Sequence, residues 1–344
     1  MSSLWRRNSK EKKDNTISLR NGAVLLEKLI TTCEGKRNPI RSFSLEELKI
    51  ATNNFAEHQV IRYECNKLYR GFLQNRSVSI MYWCVNDHIH WYNKEDFFYN
   101  NIVFPTQMSQ KNVLQLIGCC LDTEIPTLVF ESAENGTLAD RIHGRDGHHF
   151  EPLLLAHRFK IAMEIANAVA YLHLGFRRPI VFRDIKPSKI LFDEENVAKL
   201  FDFSLSESIP EGETHIKNGQ VMGTSGFVAP EYAMTSDCNE KCDVFSFGIL
   251  LLELLTGERI TCLSQIAEDD GCLLMDYVKK HVENDTLYEI IDPKIVQDSS
   301  YYKKKEQLLS FLLLMFECAS ESPEERPTMM SAAKRLRQLY LSTA

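Results

Sequence analysis

Between Asn21 and Lys36 the text NGAVLLEKLITTCEGK sets Ala23, Leu26 and Ile30 at helical spacing, and Leu25 and Leu29 widen the same stripe. Asn21 is placed to cap this helix and Gly35 to end it. A shorter helix is predicted after Ser44, bearing Leu45, Leu48 and Ile50, because Glu47 stands three residues on and completes a capping box. Beyond it the β-prone runs LYRGF, SVSIMYW and TLVFE alternate with turns, around one charged, aromatic segment, HIHWYNKEDFFYNNIVFPTQM. After Asn135-Gly136 the pattern turns helical. AHRFKIAMEIANAVAYLH brings Phe159, Ile161, Ile165, Val169 and Leu172 close to one face, as in a core helix. DVFSFGILLLELLTG is apolar nearly all round up to Gly257, as a helix buried inside a larger body must be. The pattern therefore predicts an α+β chain: a basic flexible tail over 1–20, a helical leader over 21–55, and a domain over 56–340. That domain has a small β-rich lobe (about 56–132) and a larger helical lobe (about 133–340). The leader must bury its stripe on its own domain or on a partner.

Composition narrows the classes. With 44% hydrophobic and 25% charged residues among 344, the chain can bury a large core. Forty basic against 47 acidic residues leave a formal charge of −7, which gives no footprint for nucleic acid. No run approaches the roughly 18 to 20 apolar residues of a membrane span. The basic start, Arg6 to Lys13, is followed by no apolar stretch, and Met-Ser-Ser lacks the glycine for myristoylation, so a cytoplasmic protein is expected, recruited to the plasma membrane only through partners. Ten scattered cysteines are expected as reduced thiols; neither Cys119-Cys120 nor Cys238/Cys242 has a second pair at zinc spacing. His143, His148 and His149 are expected in a solvated loop around Gly144 and Gly147.

The chemistry is concentrated in VFRDIKPSKILFDEENVAKLFDFSLSE and GTSGFVAPEY, with DVFSFGILLLELLTGE and SPEERPTM behind them. In order and spacing these resemble the catalytic loop, metal-binding turn, activation-segment end and later scaffold motifs of protein kinases, over about Phe43 to Tyr340. FSLEELKIATNNF, GCCLDTEIPTLVFESAENGTL and EKCDVFSFG resemble plant receptor-like cytoplasmic kinases. The leader NGAVLLEKLITTCEGKRNPIRSFS is similar to that of the plant HopZ-ETI-deficient-related (ZRK) pseudokinases. The resemblance implies a bilobal protein-kinase-like fold.

Phosphoryl transfer depends on positioning and on neutralising phosphate charge, so each lost part shows as a lost residue type. The glycine-rich loop needs backbone without Cβ, yet VIRYECNKLYRG has no glycine before Gly71, and side chains from Arg62 to Lys67 would fill the phosphates' space. Aligned on the family, Val78-Ser79-Ile80-Met81 puts Met81 at the phosphate-binding lysine, and the partner glutamate falls on Asn101, with Pro105 expected to break or kink that helix. By the same resemblance Asp184 keeps the base position and Lys186 the neighbouring lysine. Phe182 replaces histidine, and Lys189 replaces the metal-binding asparagine, where its ammonium would repel a second Mg²⁺ or partly supply its charge. Asp202-Phe203-Ser204 keeps the metal aspartate and substitutes serine for glycine, stiffening the turn.

The scaffold is retained. The resemblance implies that Asp243 bonds the catalytic-loop backbone and that Glu231 and Arg326 form the buried bridge anchoring the activation segment. Thr214, Thr224 and Ser225 are candidate modification sites or ordinary loop hydroxyls. Family resemblance implies an immune adaptor that associates with a nucleotide-binding leucine-rich-repeat (NLR) receptor and meets bacterial effectors or modified receptor-like cytoplasmic kinases. No cofactor is expected to be required, with weak binding of ATP and Mg²⁺ left open. The rival readings are a weak or atypical serine/threonine kinase, kept alive by Asp184, Lys186 and Asp202, and an allosteric activator of another kinase.

Overall fold

A computed structural model describes residues 2–33, 39–64, 66–83, 94–144, 150–217, 220–297 and 304–342. Its contacts divide the chain into two compact units, the first of Met1–Gly136, Leu191–Asn196 and Phe201–Ser204, the second of Thr137–Ile190, Val197–Leu200 and Leu205–Ala344.

In the first unit, helix α1 (Ser2–Thr32) does not begin at Asn21; it already runs through the stretch expected as a tail. Asn21 caps nothing. Buried within α1, its side-chain amide donates to the carbonyls of Leu121 (2.9 Å) and Thr123 (2.8 Å), and its side-chain oxygen accepts from the Tyr99 hydroxyl (3.2 Å). These bonds set which face turns inward. Leu25, Leu29 and Cys33 are buried, whereas Leu26 and Ile30 are 54% and 69% exposed, so the expected stripe splits into a docked row and an outward one. Gly35 lies outside the described residues.

A short strand β1 (Arg41–Ser42) leads to α2 (Leu45–Ala51), where Ser44 and Glu47 make the reciprocal capping box. Leu48 is buried but Ile50 is 80% exposed, so the apolar face here is narrower than the pattern suggested. Strands β2 (Val60–Tyr63), β3 (Asn66–Leu73) and β4 (Arg76–Trp83) follow, then α3 (Lys94–Thr106), β5 (Leu116–Cys120) and β6 (Thr127–Glu131). One sheet orders them β1-β5-β6-β4-β3-β2, with β1 parallel to β5 and the other pairings antiparallel. Gly118 makes the β1–β5 approach feasible, because a Cβ there would stand 2.2 Å from the Arg41 carbonyl oxygen. Pro105 is the last residue but one of α3, so the interruption expected there coincides with the helix end. Leu25 and Leu29 join Met81, Trp83, Phe98, Ile102, Leu128 and Phe201 in one core. Residues 84–93 of the aromatic segment lie outside the described residues.

The second unit is mainly helical: α4 (Leu138–His143), α5 (Leu155–Leu174), α6 (Pro230–Thr235), α7 (Glu240–Thr256), α8 (Ile260–Asp269), α9 (Leu274–Glu283), α10 (Pro293–Val296), α11 (Lys305–Cys318) and α12 (Met329–Leu341). Short strands accompany them: β7 (Ile180–Val181), β9 (Ala198–Leu200), β10 (Glu207–Ser208), β11 (Ile216–Lys217) and β12 (Asp237–Cys238), while β8 (Ile190–Phe192) falls at the unit boundary, with Leu191 and Phe192 in the first unit. Asn239 caps α7, every residue from Cys242 to Thr256 is buried, and Gly257 ends the helix at φ 74°, a conformation glycine adopts freely. His143 does not lie in a solvated loop. It is the last residue of α4, half-buried, its side chain 7% exposed, with Nε2 3.6 Å from the Glu253 carboxylate; His148 and His149 lie outside the described residues. The chain is thus an α+β protein with a sheet-based first unit and a helical second unit.

Candidate functional site

In the first unit the sequence-predicted positions Met81, Asn101 and Asp202 carry no basic side chain of their own. Met81 sits on β4 fully buried within the apolar core, and its thioether carries no charge. Asn101, on α3 and also fully buried, turns toward Asp202: its amide donates to Asp202 Oδ1 (3.4 Å) and Ser204 Oγ (2.8 Å), and its oxygen accepts from the Phe203 backbone N–H (2.7 Å). The Ser204 hydroxyl donates to Asp202 Oδ1, joined by the Ser204 backbone N–H at 3.4 Å. Ser204 is thereby a structural link between α3 and the turn. Asp202 itself stands at φ 66°.

The other carboxylate oxygen of Asp202 faces β2 and the start of β3, which carry no glycine before Gly71. Asn66, at the start of β3, donates to Oδ2 (3.4 Å), and Nη2 of Arg62, on β2, lies 3.8 Å from it. The Arg62 side chain is 3% exposed, donates through Nη1 to Asn66 Oδ1 (2.8 Å) and pairs with Glu64. Its guanidinium carbon stands 4.9 Å from the Phe201 ring centre, within cation–π range. A divalent ion demands several oxygen ligands close around it. Asp202 instead faces N–H and O–H donors and a cation, the complement of a carboxylate; these residues do not fit Mg²⁺.

In the second unit Asp184 is buried among its own partners. Lys189 Nζ stands 3.1 Å and Lys186 Nζ 3.4 Å from Asp184 Oδ2, while the Thr224 hydroxyl donates to Asp184 Oδ1 (2.5 Å) and accepts from Lys186 (2.9 Å). Lys189, expected as a repelling or substituting charge at a metal, is 5% exposed and ion-paired with Asp184. Thr224 is half-buried in this cluster; Ser225 and Thr214 are exposed, the latter against His215.

Beneath the loop, fully buried Asp243 accepts from the backbone N–H groups of Phe182 and Arg183, both at 2.8 Å, and meets His173 Nε2 at 2.9 Å. Those bonds hold Arg183 at φ 66°, strained for a side-chain-bearing residue. Arg326 clasps Glu231 with both terminal nitrogens, at 2.6 and 2.8 Å, and also donates to the carbonyls of Ser320, Lys241 and Glu321.

The sequence reading found Met81, Asn101 and Asp202 singly but missed that Asn101, Ser204, Asn66 and Arg62 converge on Asp202. The available signal was a pair of polar residues, Arg62 and Asn66, on strands with no glycine between them.

Residues 67–336 match the protein kinase domain family. Three proteins of Arabidopsis thaliana are similar along nearly the whole chain. Serine/threonine-protein kinase ZRK1 is 38% identical over 94% of this chain and 92% of its own length. Non-functional pseudokinase ZRK2 is 37% identical over 98% and 94%, and non-functional pseudokinase ZED1 37% identical over 95% and 97%. With full-length likeness to these and a kinase-domain match over most of its residues, the chain belongs to the protein kinase family and, within it, to the ZRK group.

Proposed function

We propose that this chain is a catalytically impaired, protein-kinase-like adaptor of plant innate immunity, bridging an NLR receptor to pathogen effectors or modified receptor-like cytoplasmic kinases. One observation carries the loss of catalysis: where working kinases hold a phosphate-binding lysine, Met81 lies fully buried in an apolar core. The loss of positioned charge in phosphoryl transfer costs about 10³ to 10⁵ in rate, enough to remove a useful turnover. Asn101 and Asp202 point the same way, since both are engaged by neighbours in their own unit. The scaffold that would present binding surfaces is intact at Asp243 and at the Glu231–Arg326 pair.

The partners rest on family resemblance and on the likeness to two non-functional pseudokinases. No helix among the described residues is long and apolar enough to cross a membrane. We assign a cytoplasmic location, with membrane recruitment through partners, and no required cofactor. Ser225 and Thr214 are the exposed hydroxyls a partner enzyme would modify, and Thr224 is a third candidate once released from Asp184 and Lys186.

A weak serine/threonine kinase is the second reading, favoured by Asp184 and Lys186 standing together at the loop and by the kinase name of one relative. Purified protein tests the two. The adaptor reading expects no Mg²⁺·ATP-dependent thermal shift, no Asp184-dependent phosphate transfer, and co-purification with an NLR receptor from plant extract. Transfer that Asp184→Asn abolishes, at one turnover or more, would establish the enzyme instead.

A further inference from the structure

We propose that Arg62 is a built-in replacement for the divalent cation at Asp202, so that this unit keeps its metal-binding turn closed with neither metal nor nucleotide. The guanidinium is fixed on three sides. Nη1 bonds Asn66, which in turn bonds Asp202; Nη2 meets Asp202 Oδ2 at 3.8 Å and Glu64 beyond it; and the carbon lies over Phe201, the residue before Asp202. Only 3% of the side chain is exposed, and Nε has no hydrogen-bond partner. A buried donor left unpaired is a cost. Its offsetting gain is the neutralised carboxylate.

A metal and Arg62 cannot share Asp202. Two like charges within a few ångströms in a poorly solvated site repel strongly. For an ion to enter, Arg62 would have to leave Phe201 and Asn66, and Asn101 and Ser204 would have to give up Asp202 Oδ1. Without Arg62 the buried Asp202 carboxylate would lose its nearby cation, which is strongly destabilising at this burial, whereas Arg62 without Asp202 would still keep Glu64. This deepens the pseudokinase reading and can fail without it, since a chain that transfers no phosphate remains a pseudokinase even if Arg62 is dispensable.

The test uses the full chain and Mg²⁺ or Mn²⁺ alone as probes, with Arg62→Gln, Asp202→Asn, the double variant and Arg62→Lys. The natural protein is expected to show no cation-dependent change in melting temperature. Arg62→Gln should melt lower and recover part of the loss with millimolar Mn²⁺, a recovery absent from the double variant. The single substitutions should couple by at least about tenfold in the unfolding equilibrium constant. Arg62→Lys, which keeps the charge, should stay insensitive to Mn²⁺ and retain most of the stability; it carries the test if Arg62→Gln does not fold. Cation stabilisation of the natural protein that Asp202→Asn removes would overturn the proposal. So would a folded Arg62→Gln that ignores Mn²⁺ and couples less than about twofold, or an Arg62→Lys as damaged as Arg62→Gln.

Discussion

Arg326→Met removes five hydrogen bonds at once from a guanidinium with no exposed surface: two to Glu231 and three to main-chain carbonyls. Net hydrogen bonds to charged groups are worth about 1.5–3 kcal/mol each, but Arg326 also surrenders its hydration on folding, so the sum overstates the effect. Breaking one side of a buried pair costs about 3–5 kcal/mol. Glu231 keeps 23% of its side chain in water, which places Arg326→Met near the lower end, at about 3 kcal/mol. With an m-value of about 3 kcal/mol/M, the urea midpoint should fall by about 1 M. Arg335 supplies the control. It also clasps a glutamate, Glu317, with both nitrogens, but at 35% exposure, and Arg335→Ala should cost less than about 1 kcal/mol. Glu231→Ala combined with Arg326→Met should cost less than the two separately, by about 2 kcal/mol, because each single change strands a charge. A loss below about 1 kcal/mol, a coupling near zero, or a shift no larger than that of Arg335→Ala would refute this account.

Three further outcomes follow from burial. Leu25→Ala or Leu29→Ala should destabilise the first unit by about 2–5 kcal/mol, while Leu26→Ser with Ile30→Ser should stay within about 1 kcal/mol in urea titrations; the reverse order would mean α1 docks by its other face. Met81→Lys should cost several kcal/mol by burying an ammonium in an apolar core and should gain no phosphate transfer, even with Asn101→Glu, since Arg62 and the missing glycines remain; measurable transfer from the pair would contradict it. Burial pushes the thiols of Cys119 and Cys120 up to about 11 and about 12 from the ordinary 9, so the folded chain keeps those protons longer than the unfolded one. Their stabilisation is complete below about pH 9 and is lost as pH climbs through 11 to 12, which Cys120→Ala should diminish in a pH series of melting temperatures.

The kinase architecture was legible because it is written in contiguous motifs, and the buried helix α7 because its apolar run has no polar face. Side-chain placement followed less closely. In the leader two apolar rows interleave, Ala23-Leu26-Ile30 and Leu25-Leu29-Cys33, and periodicity alone ranks them equally; Asn21, read as a cap, decides between them through its bonds to Leu121 and Thr123. His143 read as a loop residue because two more histidines follow it, yet Glu253, far along the chain, gives it a buried partner. The ring of donors on Asp202 was invisible for the same reason: Asn66 and Asp202 are 136 positions apart, and nothing local in VIRYECNKLYRG says which turn its arginine will meet.

Charge counting links those donors to function. In the proposed alignment Met81 stands for a lysine and Asn101 for a glutamate, so the two changes cancel in net charge and neither brings a cation to Asp202. An enzyme that is always loaded with Mg²⁺·ATP can leave that aspartate to its metal. A protein that acts by being folded and recognised, with no nucleotide, cannot, because a buried carboxylate without a partner costs several kcal/mol out of a total stability of about 5–15. Arg62 supplies a positive charge from β2, so one side chain both fills the space beside Phe201 and stabilises the Asp202 carboxylate. Reinstating the enzyme would therefore require removing the residue on which the unliganded fold depends.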